Sequence, residues 1–186
     1  MLDEKIKFGN AIPASNKAMR SFFLKLIALV VIWECSYHFI LEPARIPDQF
    51  LTDVITRGVT LCINLFFRVS PHVTWADYPS YSAAFILQDG KTLFLIADFC
   101  NGLDLIIIYL GFIILLPYAA SRKIIFGVSG IVVITIADII RCTLLYWIWK
   151  YHRSMFDFNH KYLFSILMYL LIFSGWVLFI KKGRKI

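Results

Sequence analysis

Apolar residues run almost without interruption over 22–41, 103–120, 124–149 and 162–180, and most charged residues gather between these runs or at their ends. Each run is close to the roughly 20 residues that a helix needs to cross about 30 Å of hydrocarbon, so the pattern predicts four membrane spans. Residues 50–69 are nearly as apolar but carry a different periodicity. There Asp53, Thr56, Arg57, Thr60, Asn64 and Arg68 recur at steps of three or four and make one polar stripe. That is the pattern of an amphipathic helix, lying in the interface or packed over the other helices with its stripe toward water. From Pro71 to Ser82 the chain is polar and aromatic and reads as a loop. Over 85–96 two strand-like runs flank Asp89-Gly90, a strong hairpin signal. The expected fold is an all-α polytopic membrane protein, with about four to five transmembrane helices, an outer amphipathic helix and a short extracytoplasmic β-hairpin. No internal repeat divides residues 1–186, which read as one membrane domain.

Composition agrees with this reading. The chain is 60% hydrophobic and 17% aromatic, and its mean hydropathy of +0.73 excludes a soluble domain of this size. The net charge of +7 follows from the excess of Lys and Arg in cytoplasmic segments of membrane proteins, and does not point to nucleic acid. Residues 1–20, with Lys5, Lys7, Lys17 and Arg20, read as a basic tail. If 50–69 does not cross, this tail, the Arg122-Lys123 turn and the basic cluster at 181–185 all lie inside. The expected protein is therefore integral to the cytoplasmic (inner) membrane with both termini cytoplasmic. Cys100, the hairpin and the loop at 150–161 then face outward. Tyr146, Trp147, Trp149 and Tyr151 fit an interfacial aromatic belt near that boundary. No leader with a small-residue cleavage site is evident, so the first run is expected to remain as an anchor.

Candidate chemistry concentrates on the outward side. Cys100 stands at the border between polar and apolar sequence, just ahead of a helix whose unpaired N–H groups favour thiolate over thiol. Asp138 and Arg141 lie three apart within the third long run, where a charge costs roughly 2.5–3.5 kcal/mol and calls for a partner facing the bundle interior. One reading is an ion pair that only fixes helix packing. The other gives Arg141 to a developing oxyanion or a substrate carbonyl. His160 opens the last run at the same outer level. A thiol, a guanidinium and an imidazole at the ends of three helices match the needs of acyl transfer through cysteine: nucleophile, oxyanion donor and acid/base.

In these elements the chain resembles the exosortase/archaeosortase family of polytopic membrane proteins. The resemblance covers about residues 85–170: a hairpin leading into Cys100-Asn101-Gly102, an arginine three residues after a polar one in Asp138-Ile139-Ile140-Arg141, and His160 opening the next span. The family more often has Cys-Ser-Gly and Asn-x-x-Arg, so Asn101 and Asp138 are departures. The chain is also shorter than the eight-span members and looks like one of the compact bacterial forms. The resemblance implies a cysteine transpeptidase or protease with Cys100 as nucleophile, Arg141 stabilising substrate or oxyanion, and His160 as acid/base. It implies no cofactor and no metal. Its substrate is expected to be an exported protein with a C-terminal tail of short motif, transmembrane helix and basic end, passed as an acyl group to an amine or other acceptor.

Secondary candidates are Asn101, Asp138 and Asp104 as substrate-binding groups. Asp104 is equally good first-turn helix chemistry. Glu34 and His38 share one face of the first span and read as a proton relay or as wet interface groups. Cys35 and Cys62 read as small apolar fillers, and Cys142 should point about 100° away from Arg141. The four cysteines have neither a disulfide framework nor zinc spacing. An alternative class is a non-catalytic membrane assembly or transport subunit, in which Glu34, His38, Asp138 and Arg141 line a polar path.

Overall fold

The computed structural model describes residues 16–77 and 82–182. The tail at 1–15 and the last four residues, both part of the inside-positive argument, lie outside the described residues. Helix α1 (Asn16–Ser36) continues through a π-helical turn (Tyr37–Leu41) into the short α2 (Glu42–Ala44). A bend leads to α3 (Asp48–Phe67), followed by strands β1 (His72–Asp77), β2 (Ser82–Gln88) and β3 (Lys91–Ala97). A single 3-10 turn, Asp98–Cys100, joins β3 to α4 (Leu103–Leu115). Then come α5 (Ala120–Tyr151), a 3-10 turn (Arg153–Met155), α6 (Phe156–Phe158), a second π-helical turn (Asn159–Leu163) and α7 (Phe164–Lys182).

By length and composition four helical stretches suffice to cross a membrane: Phe23–Ala44, Asp48–Phe67, Ala120–Tyr151 and Arg153–Lys181. The number matches expectation, but the set differs. The helix expected over 103–120 ends at Leu115, because Pro117 pushes Leu116 into an extended conformation (φ −77°, ψ 141°). Its 13 residues span about 20 Å at 1.5 Å per residue, and it is the central element rather than a full-length span. Leu103, Ile106, Tyr109, Gly111 and Ile113 are buried against α1, α5 and α7. Helix α3, by contrast, qualifies for crossing. One face of it (Leu51, Thr52, Ile55, Thr56, Val59, Ile63) is buried against α5 and the sheet. The polar stripe flanks that face, except that Thr56 is buried and donates to the Thr52 carbonyl at 2.6 Å. Phe50, Leu61 and Leu65 lie at 70% exposure or more on another side. Three faces of distinct chemistry suit a helix touching protein, water and lipid at once.

The hairpin is present and larger than expected. Strands pair antiparallel in the order β1-β2-β3, so part of the segment read as a loop is a strand. Its prolines lie outside β1, which leaves His72–Asp77 free to pair. Asp89 and Gly90 both have positive φ (52° and 75°), the type I′ geometry that matches the twist of paired strands. One sheet face packs on α3 and α5, where Ile86 and Ile96 meet Ile55, Val59, Ile63, Cys142 and Tyr146. The loop expected at 150–161 is mostly helical turns leading into α7.

Close packing fixes α4 between α5 and α7. The Tyr109 ring lies over Gly130 of α5 and Gly175 of α7, and its hydroxyl donates to the Phe126 carbonyl at 3.0 Å. A Cβ at Gly130 would overlap that ring, and one at Gly175 would come within 2.8 Å of it. Gly130→Ala is therefore expected to lower stability by about 2 kcal/mol, the usual scale of overpacking, read as a lower Tm in detergent. Trimming the ring with Tyr109→Leu in the same chain should return part of that loss. A Gly130→Ala protein as stable as the parent would show that Tyr109 does not set this helix spacing.

Candidate active site

The thiol turn is built from its backbone outward. Gly102 occupies the left-handed region (φ 74°) at the start of α4, which explains a glycine two residues after the cysteine. The Asn101 side chain accepts a hydrogen bond from the Leu103 N–H at 3.0 Å and so caps α4. Its amide donates to the Asp48 carboxyl at 2.8 Å and lies 3.3 Å from the Thr52 hydroxyl. Thr52 donates in turn to Asp98 at 2.8 Å. Asp98 also accepts from Arg45 (3.2 Å), whose other amino group binds Asp77 on β1 (3.0 Å) and whose guanidinium covers the Trp75 ring. The turn is thus tied to α3 and to the sheet through side chains some 50 residues away in sequence.

Three sequence candidates meet at this turn. His160 places Nε2 4.0 Å from the Cys100 sulfur. Its imidazole is stacked on Phe156 with planes 5° apart and sits in the π-helical turn that precedes α7, a local geometry common at functional positions. Arg141 Nη2 donates to the Cys100 carbonyl at 2.8 Å, and Nε lies 3.0 Å from Asp138 Oδ1. The latter is a contact of opposite charges rather than a hydrogen bond, since the N–H does not point at the oxygen. Asp138 is fully buried, close to Gly102. It therefore shares Arg141 with the thiol turn and does not draw it away. No family model, curated protein or solved structure matches the chain.

The turn opens onto a cavity of about 1070 Å³ between α1 and the α4/α7 pair. Phe23, Leu26, Trp33, Ile108, Phe112 and Trp176 line its apolar length, and Cys100, Arg141, Glu34, His38 and Asp104 line one end. From Phe23 in α1 to Glu42 in α2 the helical wall extends roughly 28 Å at about 1.5 Å per residue, the thickness of a hydrocarbon core. His160 approaches the sulfur from outside this lining. Asp104 faces the cavity and makes no hydrogen bond among the described residues, so it does not orient Arg141 or His160. Asn101 borders the cavity with its carboxamide committed to Asp48, Thr52 and the helix end. Glu34 and His38 share a face as expected (3.4 Å), with Glu42 joining them at 2.6 Å, all exposed. Cys142 is buried against α3, whereas Cys35 is exposed and no filler. Tyr146 is buried too, and so leaves the expected aromatic belt to Trp147, Trp149 and Tyr151. Among the described residues no three metal-ligating side chains are grouped.

Sequence reasoning missed Tyr37, Asp48, Thr52 and Asp98. Their only local signal is a polar residue at the start of a helix or strand end, which capping and turn chemistry already accounts for. It also misjudged the thiol. Cys100 lies in the turn ahead of Gly102, and burial pushes its pKa above the ordinary value; Arg141 pulls it down and Asp138 adds to the rise, but burial dominates. The sign for reactivity is direct, because only thiolate attacks and a raised pKa leaves less of it near neutrality. Iodoacetamide alkylation of Cys100 in detergent should keep accelerating with pH beyond about 8.5, where a free thiol levels off. A plateau near pH 7 would contradict this ordering of effects.

Proposed function

We propose that the protein is a membrane cysteine transpeptidase or protease of the exosortase/archaeosortase kind. Its substrate is the C-terminal sorting tail of an exported protein, cut at the outer face of the cytoplasmic membrane. One observation carries the reading: Cys100, Arg141 and His160 converge from three separate segments at the polar end of a membrane-length apolar cavity. An apolar tail helix lying along that cavity brings its preceding peptide bond to the sulfur by confinement, which replaces a bimolecular encounter with a local one.

In the proposed reaction the Cys100 thiol passes its proton to His160 Nε2 as the sulfur attacks the scissile carbonyl carbon. Because burial raises the thiol pKa and leaves less thiolate, a base in contact is required, and the 4.0 Å separation must close by about 0.5–1 Å as the proton moves. An Arg141 N–H meets the developing oxyanion; its Nη1 has no partner among the described residues. The imidazolium then protonates the leaving amine and a thioester remains on Cys100. Attack by an acceptor amine, or by water, with His160 again taking the proton, releases the acyl group and restores the thiol. Of the residues in the alternative polar path, Glu34, His38 and Arg141 line the cavity and Asp138 does not.

Co-expression with a secreted reporter ending in a motif, an apolar helix and a basic end tests the proposal. Cys100→Ala should abolish processing while the protein remains in the membrane at its normal amount, and unchanged processing would overturn it. Arg141→Lys keeps the charge but loses the fork, and should slow processing by about 100-fold, the scale of one lost oxyanion donor. An impermeant thiol reagent added to intact cells should label Cys100 from outside.

A further inference from the structure

The Asp48 carboxyl group is almost completely buried, at 4% exposure. Tyr37 of the π-helical turn after α1 donates its hydroxyl to Oδ2 at 2.9 Å, and Asn101 donates its amide to Oδ1 at 2.8 Å. The same amide also lies 3.4 Å from the Asp48 main-chain oxygen. One carboxyl group thus joins the wall of the cavity, the start of α3 and the residue next to the thiol. Asn101 has no slack: its oxygen caps α4 through Leu103, and its nitrogen is held by Asp48 and Thr52. Any shift of the Asp48 oxygen moves the amide, and with it the Cys100 backbone one residue away.

We infer that Asp48 is a positioning residue for the nucleophile: through Asn101 it holds the Cys100 turn in register with Arg141 and His160, and through Tyr37 it fixes that turn against the cavity wall. The inference rests on the functional reading above for its purpose, but not for its test. Both neighbours donate to it, so alanine at this position leaves each without its acceptor. Asparagine keeps the shape and both contacts: its oxygen accepts from Asn101 and its amide donates to the Tyr37 hydroxyl, which turns to accept.

The experiment follows iodoacetamide alkylation of Cys100 and Cys142 in purified protein carrying Cys35→Ser and Cys62→Ser. Cys142 is 3% exposed, packs on α3 and lies 3.9 Å from Arg141 Nη2 on the far side of the turn from Asp48, so it reports loosening that spreads beyond the Asp48–Asn101 contact. With Asp48→Ala, Cys100 should alkylate about tenfold faster, as expected for local opening of one turn, while Cys142 stays protected. The conservative Asp48→Asn retains both contacts and should hold Cys100 near the parental rate. An unchanged Cys100 rate in Asp48→Ala, or equal acceleration of both thiols, overturns the inference. Alkylation does not depend on peptide cleavage, so this result and that of Cys100→Ala in the reporter assay fail independently.

Discussion

Polar groups buried in an apolar bundle must satisfy one another, and the thiol turn depends on that constraint. Leaving one buried donor or acceptor unpaired costs roughly 1–3 kcal/mol, a large share of the stability of any domain. Asn101, Thr52, Asp48 and Asp98 are removed from water to different degrees and close a chain of hydrogen bonds with few alternatives. Arg141 obeys the same rule on the other side of the turn, where Asp138 balances its charge and the Cys100 carbonyl accepts its hydrogen bond. The turn is held from two directions by groups that have nowhere else to go. A cysteine on a simple helix end would have neither restraint.

Depth adds to this. Arg141 lies ten residues before the end of α5 at Tyr151, or about 15 Å along a helix. The thiol turn is therefore well below the top of the longest helix, and the short α4 makes this possible. A full-length helix in its place would carry Cys100 to the rim. Pro117 ends α4 at its other end, so a single proline and a single glycine bound the central helix and set the level of Cys100.

The site was more legible in the sequence than its supports. Cys100, Arg141 and His160 each combine reactive chemistry with a position at an apolar border, and the spacing of the runs was enough to bring them to one level. Periodicity likewise marked α3, and Asp89-Gly90 marked the hairpin. Strand β1 was obscured because its alternation, His72-Val73-Thr74-Trp75, runs for only four residues in a stretch flanked by prolines. The span expected over 103–120 was overestimated because hydropathy does not register that Pro117 stops a helix inside an apolar run. Asp48 and Thr52 were invisible for a different reason. Their partners lie 46 to 53 residues away, and only tertiary packing turns a helix-start aspartate into the anchor of a distant turn.

The thiol shows how placement decides between two opposed electrostatic effects. The N-terminus of α4 offers a partial positive charge, yet Gly102 and Asn101 intervene and Asn101 occupies the Leu103 N–H itself. The helix end is thus spent on its own cap, and burial of the sulfur prevails over Arg141. A thiol with a raised pKa reacts more slowly with oxidants and alkylating agents, which act on thiolate. In the proposed reaction it becomes nucleophilic only when His160 closes on it with a carbonyl already in place. Reactivity then follows occupancy of the cavity, which gives the buried setting of Cys100 a chemical purpose that a preformed thiolate would forfeit.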